Sequence, residues 1–430
     1  MEIISKNIHI VYIIKNSIII LIILLYYIFK YSIKIKINQL INSNNLNNTN
    51  TDELIKNLNK YSIYREPKYI LLFDYIYSHV CEDLNAYTIF NYYQQNNIKD
   101  VYYVINEGNE LYKSLLNLNK TENIIPYKDD KSMNNLFPYL LNSKIIIQSY
   151  CLGIFQIIVS RVKYLKFLYI CHAVNYFKTS IIKDQLSGVE KSKQNIILSS
   201  PYEYNLYKKM NLYDEKIMHL GGLARYDRLN FIQKNKSEND CILISFTYRA
   251  FDDSIYQKSL FKENTYKLLN DESLMSFLEK KNLDLIFIQH HNDIIRGRKI
   301  TLNNSSKVKL KQQNDLAHYI EQCSLYVTDF SSISFDFMFQ NKPVLFYYLD
   351  KNETFDFYEK SFMNIDENNS IYFENVFYNH KDLVNKIKYY VDNNYTIEKG
   401  LEMKYKTLFY NKKNISQKIV NVINKIINEK

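Results

Sequence analysis

Residues 326–350 read YVTDFSSISFDFMFQNKPVLFYYLD and concentrate the side chains best suited to holding a phosphate. An apolar run ends at Thr328 and Asp329, Phe330-Ser331-Ser332 has turn composition, and a helical pattern follows. The start of a helix presents free N–H groups and the positive end of the backbone dipole to an anion. Ser331 and Ser332 add hydroxyls without any need for glycine. Simple capping by Asp329 and the serines is the plainer alternative, but it leaves Ser334 and Asp336 on the same edge unexplained. Further chemistry-bearing residues lie elsewhere. His172 directly follows LKFLYIC, where a base would sit at a strand's carboxyl end; a histidine satisfied by a backbone carbonyl is the alternative. Lys178, six residues on, is close enough to neutralise an anion. His290-His291-Asn292 ends the run LDLIFIQ, and adjacent side chains there point to opposite faces if the strand continues. Thr247 and Arg249 close the run CILISFTYR, where Arg249 could clamp a diphosphate through two parallel bonds or form a surface ion pair. Arg225, in GGLARYDRL, could reach into a cleft between domains or pair with Asp227.

The elements that must carry these residues alternate. Short, continuous apolar runs read as strands at 68–75, 101–105, 143–148, 165–171, 195–199 and 216–220, with a helix over 83–95. A polar stretch, QKNKSEND at 233–240, interrupts the pattern. Alternation then restarts, with strands at 241–248, 283–289, 325–328 and 343–348 and helices at 265–280, 315–322 and 332–339. Fully apolar strands separated by helices indicate parallel sheets covered on both faces. The pattern predicts two facing Rossmann-like domains, over 66–232 and 238–395, followed by a helical tail at 396–430. Ile415, Ile419, Val422, Ile423, Ile426 and Ile427 of that tail fall on one stripe that packs on a domain.

Composition narrows the classes. Only 7 glycines among 430 residues leave no G-x-G-x-x-G and no G-x-x-x-x-G-K-[ST], so phosphate must be held by other means. Five cysteines, with no C-x-x-C, argue against a disulfide framework or zinc cluster and for a reducing compartment. No Asp-x-Asp metal site is present, and no cofactor is expected beyond a substrate. Lys and Arg exceed Asp and Glu by 55 to 45, a balance suited to an anionic membrane face or acidic substrates. Nucleic acid is the competing partner, but no matching recognition motif occurs. Residues 18–29 are an unbroken apolar run, and 8–33 reach spanning length if His9, Lys15 and Lys30 snorkel. Residues 1–38 are therefore expected to attach to the membrane, followed by an Asn-rich linker at 39–65. Lys30, Lys34 and Lys36 after the run place the remainder on the cytoplasmic face.

Taken in order, these stretches resemble the CDP-glycerol glycerophosphotransferase family, the teichoic-acid polymerases and primases. HAVNYFK at 172–178 stands where the family has His-Gly-Thr-Pro-Leu-Lys, and GLARYDRL at 222–229 where it has Gly-x-Pro-Arg-x-Asp-x-Leu. ISFTYR at 244–249 matches Ala-Pro-Thr-Trp-Arg, and HHN at 290–292 matches a His-Pro pair, with His291 favoured over His290. Residues 328–348 match Thr-Asp-Tyr-Ser-Ser and the following Phe-Asp and Pro-hydrophobic-Phe-Tyr nearly throughout, and DLNAYTIFNYY at 83–93 looks like the family's first helix. The His172 block has lost its Gly, Thr and Pro, and its lysine is displaced by one position. The resemblance implies an α/β, GT-B-like fold with the active site between the two domains. It implies His172 as the base and His291 as a second catalytic histidine. Arg249, Thr247, Asp329, Ser331, Ser332, Asp336 and Arg225 would hold the CDP-linked donor, and Asn175 and Lys178 the acceptor. The expected reaction is transfer of glycerol phosphate or a related polyol phosphate to a lipid-linked or polymer acceptor at the membrane. A GT-B glycosyltransferase using a nucleotide sugar and a non-catalytic nucleotide-binding subunit stay open beside it.

Overall fold

A computed structural model describes residues 67–74, 84–128, 136, 138–140, 142–150, 159–174, 186, 189–233, 240–298, 300, 302, 307–312, 315–353, 375–409 and 412–429. The expected membrane segment, the Asn-rich linker, Asn175, Lys178 and most of the polar stretch before 240 lie outside these residues. Among the described residues no helix is long and apolar enough to cross a membrane.

The first sheet contains β1 (Tyr69–Phe73), β2 (Val101–Asn106), β3 (Ile124–Tyr127), β4 (Ser143–Gln148), β5 (Lys166–Tyr169), β6 (Ile196–Leu198) and β7 (Met218–Leu220). Their order is β3-β2-β1-β4-β5-β6-β7, and every pairing is parallel. The second sheet contains β8 (Cys241–Ile244), β9 (Asp284–Ile288), β10 (Val308–Lys311), β11 (Leu325–Thr328), β12 (Val344–Tyr347) and β13 (Val376–Phe377), in the parallel order β10-β9-β8-β11-β12-β13. Strand order reverses between β1 and β4 in one sheet and between β8 and β11 in the other. Open α/β sheets bind ligands outside the strand carboxyl ends at such a reversal.

The helices are α1 (Asn85–Gln95), α2 (Glu110–Asn117), α3 (Pro201–Lys209) and α4 (Arg225–Gln233) in the first half. The second half adds α5 (Asp253–Lys258), α6 (Leu260–Leu269), α7 (Glu272–Lys281), α8 (His291–Ile295), α9 (Leu316–Gln322), α10 (Ser334–Phe339), α11 (His380–Asp392), α12 (Lys399–Leu408) and α13 (Ile415–Asn428). Strand cores are buried on both faces: Leu71, Leu72, Ile145, Ile146, Ile242, Leu243, Leu325 and Val327 are all fully inaccessible. That is why the strands are legible as unbroken apolar runs.

Three expectations need correction. The helix read over 265–280 is two helices, because Asp271 accepts the Leu274 N–H and starts α7 afresh. The strand read over 241–248 ends at Ile244; Ser245 still bonds the Val327 carbonyl of β11, and from Thr247 onward the chain is held by the Asp329 side chain. Cys241 and Cys323 form a disulfide, against the expectation of free thiols. Their separation of 82 positions in sequence conceals that β8 and β11 are neighbours, which brings their Cα atoms to 4.5 Å.

The tail stripe does pack on a domain, and it is the first one. α13 returns to α1, α4 and β5, with Ile415, Ile419, Ile423 and Ile426 buried. Asp227 of α4 accepts the N–H groups of Ile415 at 3.0 Å and Ser416 at 2.7 Å, capping α13 from the first domain. The chain passes beneath α13 at Gly221, where a Cβ would sit 2.7 Å from Ile197 Cγ2.

Candidate active site

One side of the candidate site is built at the β8/β11 reversal. Asp329, which follows β11, is fully buried, and its carboxylate accepts the Thr247 N–H at 3.0 Å and the Thr247 hydroxyl at 2.9 Å. It also accepts Arg249 Nη1 at 2.8 Å and its own neighbour's N–H, from Phe330, at 2.7 Å. Arg249 has no exposed surface. Its Nε and Nη2 each lie 2.7 Å from Asp350, beyond β12, while Nη1 also donates to the Thr247 carbonyl at 2.8 Å. Phe261 and Phe330 cover its guanidinium at 4.5 and 4.8 Å. Burial works against the charge, but Asp350 and Asp329 more than offset it and raise the guanidinium pKa above its ordinary value. The structure therefore places Arg249 as a pin joining three strand ends, not as a free clamp for a diphosphate.

What Asp329 and Arg249 pin is the Ser331–Ser332 turn. Both serines are half-buried, and α10 starts only at Ser334. The Ser331 carbonyl accepts the N–H and the hydroxyl of Ser334. Among the described residues the amide N–H groups of Ser331 and Ser332 meet no backbone or side-chain acceptor. Two unmatched amides and two hydroxyls at a sheet reversal can receive a phosphate. At the carboxyl end of β9 in the same sheet, His290 Nδ1 accepts the Asn292 N–H at 3.2 Å and caps α8, with its ring 5.3 Å from Tyr248. His291 is exposed on the first turn of α8.

The other side of the candidate site is built at the ends of β4 and β5. Cys171 has φ of 43°, in the left-handed region, and turns the chain so that His172 projects beyond β5. The half-buried His172 ring packs on Tyr150 at 4.6 Å, and its Nδ1 lies 3.2 Å from the Tyr169 hydroxyl. Two residues the sequence reading passed over hold this corner. Asp74, following β1, accepts the N–H groups of Ala86 and Tyr87 at the start of α1, together with the hydroxyls of Tyr103 and Ser149. Asn85 donates to the carbonyls of Cys171 at 3.1 Å and His172 at 3.4 Å, and its Oδ1 accepts the Arg225 N–H at 3.0 Å. Asn85 lies in the stretch likened to a family helix, but no local signal marks an asparagine as a clamp.

Arg225 joins the two sides. It does not pair with Asp227; its guanidinium donates to the His172 carbonyl and, through Nε and Nη2, to Asp336 of α10 at 2.9 to 3.1 Å. Both partners are almost completely buried, so neither Arg225 nor Asp336 presents an open charge to a donor. Burial pushes the Asp336 carboxyl pKa up, against the pull of Arg225. Among the described residues no group of three or more His, Cys, Asp or Glu side chains is placed to hold a metal ion.

Two Rossmann-like domains with their strand carboxyl ends meeting at a buried crossing define a GT-B-like fold. Residues 60–425 match the family CDP-Glycerol:Poly(glycerophosphate) glycerophosphotransferase, and the chain belongs to that family. It is 27% identical over 338 residues to the minor teichoic acid biosynthesis protein GgaB of Bacillus subtilis (strain 168). The match takes in 73% of this chain and 35% of GgaB, so the chain spans about a third of that relative's length. The solved wall teichoic acid polymerase TagF shares the fold, with a TM-score of 0.59 at 14% identity over 88% of this chain and 95% of that one. A TagF variant soaked with CDPG gives 0.55 at 15% identity, over 87% and 92%. A putative UDP-N-acetylglucosamine 2-epimerase from Listeria monocytogenes also shares it, at 0.54 and 12%, over 84% and 98%.

Proposed function

We propose that this chain transfers glycerol phosphate, or a related polyol phosphate, from a CDP-linked donor to a lipid-linked or polymer acceptor at the cytoplasmic face of the membrane. The observation that carries the reading is the pair of unmatched amides at Ser331 and Ser332, set across the domain junction from the His172 corner. The second domain holds the donor, with the Ser331–Ser332 turn receiving its diphosphate. Thr247, Asp329 and Arg249 act by fixing that turn. His291, the exposed imidazole, meets the diphosphate, while His290 is committed through Nδ1 to α8. His172 takes the proton of the acceptor hydroxyl. If Nδ1–H donates to the Tyr169 oxygen, Nε2 keeps the lone pair the base requires. The acceptor oxygen then bonds to the phosphorus bearing the polyol, the bond from that phosphorus to the CMP oxygen breaks, and CMP leaves as an anion stabilised by fixed donors. Asn175 and Lys178 would lie beside the acceptor, and residues 8–33 would attach the enzyme to its membrane.

The test is CMP release from CDP-glycerol by the full chain with membranes. His172→Ala and His291→Ala should each lower the rate by at least a hundredfold, in line with loss of a positioned acid–base or charge-stabilising group, with the fold intact. Full activity in both variants would overturn these roles, and loss in His290→Ala alone would reassign the donor-side imidazole. CDP-ribitol and UDP-sugars run in parallel; turnover of a UDP-sugar in place of CDP-polyols would make the enzyme a glycosyltransferase.

A further inference from the structure

Four consecutive residues at the domain junction reach three different helices. Arg225 pairs with Asp336 of α10, Tyr226 stacks on Phe339 at 4.2 Å, Asp227 caps α13, and Arg228 lies 2.6 Å from Glu321 of α9. Only one of these side chains also reaches the catalytic corner: Arg225 donates to the carbonyl of His172 itself. The same guanidinium is anchored to a carboxylate four positions beyond Ser332. A planar, five-donor fork matches both oxygens of a carboxylate side by side while reaching a carbonyl from its other edge, a spread that the single nitrogen of a lysine does not reproduce. Asn85 doubles the link by bonding both the His172 carbonyl and the Arg225 N–H.

We propose that Arg225 is a positioning residue that sets the His172 imidazole relative to the Ser331–Ser332 turn, and so couples domain closure to the geometry of proton removal; the proposal rests on the function inferred above. It would act on the chemical step and leave donor binding alone, because its contacts are to a backbone carbonyl and to Asp336, not to the turn's free amides. A small misplacement of reacting groups is enough to cost about a hundredfold in rate.

The experiment compares wild type, Arg225→Lys, Asp336→Asn and the exchanged pair Arg225→Asp with Asp336→Arg. Each is read by kcat, donor KM, CDP affinity, thermal midpoint and the His172 resonances in histidine-labelled protein, assigned with His172→Ala. The expected result is a kcat lowered by about a hundredfold in the single variants, with donor KM and CDP affinity within threefold of wild type. The exchanged pair should regain thermal midpoint, since an ion pair is restored, but not kcat, since no guanidinium then meets the His172 carbonyl from position 225. Recovery of kcat in the exchanged pair, or donor KM moving in step with kcat, would overturn the proposal. A wild type that turns over no CDP-polyol overturns the proposed function instead. The resonances then decide here: shifted His172 signals in Arg225→Lys and Asp336→Asn uphold the coupling, and unchanged signals overturn it.

Discussion

Arg249 shows how one residue can be read correctly in type and wrongly in use. Its charge and its position after a strand suggest a clamp for phosphate, yet its donors are shared between Asp329, Asp350 and the Thr247 carbonyl. The distinction is testable because the two roles fail differently. Replacing Arg249 by Met leaves two buried carboxylates without their partner, and breaking a buried pair in this way costs about 3–5 kcal/mol. At a few degrees per kcal/mol for a domain of this size, the thermal midpoint should fall by roughly 10 °C or more, with CDP binding lost alongside it. Scanning calorimetry of Arg249→Met and Arg249→Lys checks this. A wild-type midpoint with CDP binding lost by itself would show that the guanidinium meets the ligand after all. The turn that carries Ser331 and Ser332 was legible because strand, turn and helix are contiguous in sequence. The partners of Arg249 and Arg225 were not, because 80 to 111 residues separate each from the carboxylate that occupies it, and only the strand order closes those gaps.

Among the elements, the central strands were legible, since a parallel strand buried on both faces must be apolar throughout. β4 and β11 fall on the runs expected of them, whereas β3, β10 and β13 are edge strands of only two to four residues and escape notice. Helix boundaries depend instead on single polar residues. Asp271 is such a residue: it caps α7 through the Leu274 N–H, bonds the Ser273 hydroxyl and lies 3.5 Å from His380. Burial tends to push its carboxyl up, but the bonds from Ser273 and Leu274 and the nearby charges of His380 and Lys388 outweigh this and hold its pKa below the usual value. A depressed carboxylate pKa contributes stability that is present above the unfolded-state value, near 4 by the ordinary range for Asp, and is lost as pH falls through the folded value. Asp271→Ala should therefore lower stability by about 1 kcal/mol at pH 7, and the gap from wild type should close as pH falls below about 4. Thermal melts from pH 7 down to pH 3 check it; a gap that persists at the acid end would mean that the cap's charge is irrelevant.

For the whole molecule, the tail decides whether the two domains unfold as one. The sequence stripe from Ile415 to Ile427 specifies a face to bury but not the surface that covers it, so its return to the first domain was not legible. One apolar core holds first-domain strands together with α13 and the α10 side of the second domain, while a separate core contains only residues between Ile242 and Val391. Ile419 is fully buried in the shared core, with Gly221 so close that a Cβ there would lie 3.2 Å from Ile419 Cγ1. An aspartate at position 419 would put an unpaired charge in that core, among the most damaging of single substitutions, on the order of 4–5 kcal/mol. The second core does not depend on α13 and should survive. Ile419→Asp should thus split a single calorimetric transition into two, the lower belonging to the first domain. At a temperature between them, the protein should still bind CDP but transfer nothing. A single transition displaced downward, with CDP binding lost at the same temperature, would show instead that the crossing at Arg225, Tyr226 and Arg228 makes the two domains one cooperative unit even without the tail's grip.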